Sequence, residues 1–152
     1  MHSYILLLFV TSFLLACQPA DKSVSSLRNF EKNYIQPTNG YAQMSVVTHD
    51  RVKTIYISGQ VGEGKTLEAQ MKSALASINE LLKSEGAEYG DLVKMNTYIV
   101  DFQPEDLKTF RSVREEVFGS DITPASTLVG VQSLALPEWM IEIDGVAVLD
   151  SL

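Results

Sequence analysis

The chain reads as one α+β domain: a mixed sheet with two helices on one face, in the order ββαβαββ. Three observations predict it. Two β-rich runs are joined only by His49-Asp50-Arg51. Two later segments carry apolar residues at helical spacing and each closes on a glycine. The connections at 49–52 and 133–138 are too short for the crossover that a parallel pair requires, so both are expected to be hairpins.

Taken in order, Ala42 to Thr48 and Lys53 to Ser58 form the first hairpin. Gly59 to Lys65 is a glycine-rich turn, and Thr66 can cap the helix that follows. Leu67, Met71, Ala74, Leu75, Ile78, Leu81 and Leu82 recur on one helical face, and Gly86 stops the helix. Leu92 to Val100 is β-like, with Val93, Met95 and Ile99 on one face and Leu92, Tyr98 and Val100 on the other. Pro104 suits a first helical turn, with Glu105 and Asp106 at its positive end. That helix presents Leu107, Phe110, Val113, Val117 and Phe118 and ends at Gly119. Strands over about 125–132 and 139–149 complete the domain. In the last strand Ile141, Ile143, Ala147 and Leu149 point inward, and Glu142 and Asp144 share the opposite face. The sheet is apolar on both sides while helices cover only one, so oligomerisation is expected.

Twelve Lys or Arg stand against nineteen Asp or Glu, a net charge of −7. The cations are scattered, which argues against a nucleic-acid partner. A single cysteine, Cys17, excludes an internal disulfide. It ends an apolar run from Tyr4 that is too short to span a bilayer but suits a signal-peptide core. Leu14-Leu15-Ala16-Cys17 resembles a bacterial lipobox. On that reading residues 1–16 are a lipoprotein signal peptide, and residues 17–38 are the lipid-attachment site and a flexible tether. The folded domain then occupies 39–152. The resemblance, with Gln18 after the cysteine, implies a cell-envelope protein anchored to the outer membrane and facing the periplasm.

Gly59-Gln60-Val61-Gly62-Glu63-Gly64-Lys65-Thr66 matches the phosphate-loop pattern G-x-x-x-x-G-K-[ST]. A nucleotide-binding core of that type needs a parallel sheet, which these connections do not allow. A P-loop-like nucleotide binder is therefore the lowest-ranked alternative.

An ordered set of motifs resembles the Rid family (RidA/YjgF, reactive intermediate or imine deaminase). They are Gly40-Tyr41-Ala42-Gln43, Ile57-Ser58-Gly59-Gln60-Val61, Leu67-Glu68-Ala69-Gln70, Gly86-Ala87, Asp91-Leu92-Val93-Lys94, Thr97-Tyr98-Ile99-Val100-Asp101, Pro124-Ala125-Ser126-Thr127 and Ile141-Glu142-Ile143-Asp144. The resemblance spans about residues 40–149. It implies a chorismate-mutase-like fold, a homotrimer, small-metabolite clefts between subunits, and neither metal nor organic cofactor. Carried across by resemblance, Glu142 is the candidate catalytic residue, helping water attack a C=N carbon. Tyr41, Ser58, Gly59, Ser126 and Leu128 are the candidate ligand-binding positions.

Position 126 departs from the family pattern. Pro-Ala-Arg-Ser becomes Pro-Ala-Ser-Thr, and a serine cannot make the two parallel charge-assisted bonds of an arginine. Arg111 and Arg114 lie on the second helix and are expected to project into solvent. The expectation is a trimeric metabolite binder without the family's usual imine deaminase activity. A hydrolytic enamine or imine deaminase is the alternative.

Overall fold

The computed structural model describes residues 30–150. Its elements are β1 (Phe30–Pro37), β2 (Ala42–His49), β3 (Val52–Val61), α1 (Leu67–Ser84), β4 (Leu92–Val100), α2 (Asp106–Phe118), β5 (Ala125–Val131) and β6 (Ile141–Asp150). They build one six-stranded sheet in the order β1-β2-β3-β6-β4-β5. Among the described strands only the β4–β5 pair is parallel. The others are antiparallel.

Both helices form as their sequences predict. Thr66 accepts a hydrogen bond from the Ala69 amide at 3.2 Å, the N-cap expected of it. At the far end of α1, Gly86 takes φ +76 while the amides of Gly86 and Ala87 donate to Lys83 and Leu82. That left-handed turn satisfies the last carbonyls and ends the helix. Met71, Ala74, Leu75, Ile78 and Leu82 from α1 and Phe110 and Val113 from α2 join Met44, Ile55, Ile57, Met95, Ile99, Ile141 and Ile143 in the core. Among the described residues no layer covers the opposite sheet face. Tyr56 and Val148 stand about half and a third exposed there, 50% and 37%.

Three expectations are corrected. The tether over residues 17–38 contains strand β1, which pairs along its length with β2. Its side chains are nearly all exposed, so the strand is held by backbone hydrogen bonds and leaves no apolar periodicity to read. The 133–138 connection is not a hairpin: β6 is inserted between β3 and β4, so the chain passes β4 before re-entering the sheet. Third, the register of β4 shifts between Leu92 and Lys94. That bulge leaves Val93 exposed and puts Leu92 in the core with Met95, reversing the faces expected for both.

The nucleotide-binding alternative also fails on topology, because β3, which leads into the glycine turn, is antiparallel to both neighbours. The turn instead packs on α1. A methyl group on Gly62 would overlap the Gln70 backbone. The buried Gln70 side chain donates to the carbonyls of Gly64 (3.1 Å) and Glu138 (2.8 Å) and accepts from the Met140 amide (2.8 Å). One side chain thus ties the turn to the segment entering β6. Residues 1–29, with the signal, Cys17 and most of the proposed tether, lie outside the described residues. Among the described residues no helix is long and apolar enough to cross a membrane.

Candidate functional site

Glu142 stands on the open face of β6, opposite Val61 of β3 and Tyr98 of β4. Its carboxylate comes down onto Gly59, where an added methyl group would overlap it. Glycine is required there for that close approach. The β3–β6 register shifts between Ile57 and Gln60, so the backbone at Gly59 departs from the regular ladder. A cavity of about 590 Å³ opens above this contact, lined by Tyr41, Gln43, Ser58, Gly59, Gln60, Val61, Ala135, Trp139 and Glu142. Four of the expected site residues, Tyr41, Ser58, Gly59 and Glu142, therefore meet in one place.

The wall is braced from below. Ser58 Oγ donates to the Ala42 carbonyl at 2.6 Å. Gln60 Nε2 donates to Gln43 Oε1 and to the Ser58 carbonyl, each at 3.0 Å. Ser58 is thereby a positioning group for the β2–β3 edge, while Tyr41 remains exposed.

The two carboxylates on this face differ. Asp144 accepts from Asn96 Nδ2 at 2.7 Å and from the Tyr98 hydroxyl at 3.3 Å. Among the described residues no donor holds Glu142. Burial pushes the Glu142 carboxyl above its ordinary 4.5, and the Asp144 charge adds to the rise. Burial also raises the Tyr98 phenol, helped by Asp144. Asp144 is thus anchored, whereas Glu142 faces the cavity with increased proton affinity.

Ser126 and Leu128 lie elsewhere. In the parallel ladder Ser126 pairs with Met95 and Leu128 with Thr97, both buried on the helix side. They therefore point to the face opposite Glu142, two strands away in the sheet order. Leu128 packs against the core. Ser126 is exposed and is met by Arg114, whose Nη1 donates to Ser126 Oγ at 2.9 Å. Arg114 was expected to project into solvent; it is half-buried instead, because its guanidinium stacks on Phe110 and Phe118.

Gln43, Gln60 and Trp139 also wall the cavity without having been expected there, although both glutamines fall inside the family-like motifs. Arg114 gave a weaker signal: Phe110, Arg114 and Phe118 recur every four residues on one helix face. Among the described residues no group of His, Cys, Asp or Glu is placed to hold a metal ion.

The model of the "Endoribonuclease L-PSP" family matches residues 31–149. The human 2-iminobutanoate/2-iminopropanoate deaminase is 32% identical over 105 residues, covering 63% of this chain and 73% of that protein. The bovine protein of the same name is 33% identical over the same shares. Among solved structures, a YjgF-family protein of Neisseria meningitidis matches at TM-score 0.68 and 27% identity, over 80% of this chain and 97% of its own. A Rid-family protein of Yersinia pestis matches at TM-score 0.59 and 31% identity, over 78% and 98%. With the family model covering the domain from β1 to β6, this chain belongs to the Rid (YjgF, endoribonuclease L-PSP) family.

Proposed function

We propose that the chain binds a small metabolite bearing a C=N group in a cleft shared between copies, with Glu142 promoting its hydrolysis. The observation that carries this reading is the Glu142 carboxylate: unheld, raised in proton affinity, and set over Gly59 in a cavity. A carboxylate in that state can accept a proton from water as the oxygen attacks the C=N carbon. The nitrogen takes up a proton, the tetrahedral adduct collapses, the C–N bond breaks, and ammonia leaves a carbonyl product. The human and bovine relatives, deaminases by name, support this chemistry.

Sharing between copies follows from the split site. The Glu142 cavity and the Ser126 position lie on opposite faces of one sheet, so a single chain cannot bring both to one ligand. A neighbouring copy can supply the second half, and the uncovered apolar sheet face gives it a surface to pack on. A closed ring of three copies satisfies both demands.

The test is ammonia release from freshly generated 2-iminobutanoate. The wild type should release ammonia faster than the uncatalysed reaction, and Glu142→Gln should lose that excess; equal rates would overturn the hydrolytic reading. Binding without turnover is the second reading, favoured by Ser126 in place of the family's arginine. Envelope anchoring through Cys17 belongs to the proposal, and Cys17→Ala should abolish palmitate incorporation. A nucleic-acid substrate is disfavoured by the net charge of −7.

A further inference from the structure

We infer that Arg114 supplies the anion-holding guanidinium of this chain, reaching from α2 to the place that position 126 leaves open. This deepens the proposed function and rests on Ser126 being part of the shared cleft. The guanidinium carbon sits 5.6 Å from the Phe110 ring centroid and 5.7 Å from that of Phe118, within cation–π range. Stacking on two rings holds the guanidinium while leaving its in-plane edges free. One of its five N–H groups goes to Ser126 at 2.9 Å. Among the described residues no carboxylate pairs with it.

Arg114 also borders a hollow of about 430 Å³ beyond the C-terminus of α2, with Arg111, Glu115, Ser120 and Thr123. Two cations against one carboxylate leave it a net positive lining. A fixed, half-buried, unpaired guanidinium offers a fork that matches a planar carboxylate. Ser126 is then a positioning residue: its oxygen accepts from Nη1 and aims the fork. An arginine at 126 would contest the space that Arg114 reaches into, whereas a serine receives it.

The test uses the full-length protein with 2-oxobutanoate as probe and its uncharged amide as control, both followed by titration calorimetry. The wild type should prefer the acid. Arg114→Gln should weaken the acid about ten- to a hundredfold and leave the amide unchanged. Arg114→Lys keeps the charge but loses the fork, and should fall between them; it serves if the glutamine variant folds poorly. A merely structural Arg114 would move both probes together. Acid binding that is unchanged in Arg114→Gln but lost in Gly59→Val would overturn the inference and leave the shared cleft standing. A wild type that takes the amide as well as the acid would also overturn it. If the wild type binds neither probe, the inference and the metabolite-cleft reading fall together.

Discussion

The Glu142 cavity and the Arg114–Ser126 edge present charge in different ways. At the first, the backbone shapes the site: a glycine in a displaced strand lets a carboxylate settle onto β3, where burial raises its proton affinity and a second carboxylate two residues on adds to the rise. At the second, a long side chain crosses from a helix and is held by two aromatic rings. The first arrangement joins residues far apart in the chain, each of which falls inside a motif that the sequence displays. The second depends on an approach between α2 and β5 that no local motif encodes. A site built from backbone is hard to move, whereas a site built from a reaching side chain can be relocated by a few substitutions. That difference explains how position 126 can hold serine while a guanidinium still stands beside it.

The largest effect expected from breaking the first region is on chemistry. Glu142→Gln should slow ammonia release about a hundred- to ten-thousandfold, the usual contribution of a positioned acid–base group, with little change in 2-oxobutanoate binding. A comparable loss in binding would mean that Glu142 holds the ligand rather than activating water. Gly59→Ala comes next. The added methyl overlaps only the Glu142 side chain, which must swing away into the cavity, so turnover should be lost while thermal stability changes little. Full activity would show that Glu142 does not need its seat on β3.

A pH series sharpens the contrast further. Glu142 has a raised folded-state pKa, so its contribution to stability is present below its ordinary value and is lost as pH rises through the raised one. Acting as a base, Glu142 must be ionised, so activity should fall on the acid side. Asp144→Asn removes the neighbouring charge and should move that acid limb to lower pH. A limb that stays put would assign it to another group. The smallest effect belongs to the second region. Ser126→Ala should weaken 2-oxobutanoate about two- to tenfold, less than Arg114→Gln, because the clamp remains and only its aim is lost.

Much of this was legible in sequence. The apolar spacing of α1, its Thr66 cap and its Gly86 stop all form as read. Tyr41, Ser58, Gly59 and Glu142, all inside the family-like motifs, line one cavity. What stayed hidden shares a physical cause: long-range pairing. Strand β1 is an edge strand whose exposed side chains carry no pattern. The insertion of β6 between β3 and β4 depends on partners distant in the chain. The bulge at Val93 reverses inside and outside within an apolar run that permits either phase. Arg114 looked like a solvent-facing helix residue because the serine it meets lies twelve positions along, across a turn.

The central claim is that one copy's Glu142 works with the Arg114–Ser126 edge of its neighbour. Mixing Glu142→Gln protein, slow in chemistry, with Arg114→Gln protein, weak in binding, tests it directly at 2-iminobutanoate concentrations far below saturation, once subunit exchange has been verified by mass. Random reassembly should leave about a quarter of the shared sites with both halves wild type, so ammonia release from 2-iminobutanoate should reappear at about that fraction. No recovery after full exchange would contradict it.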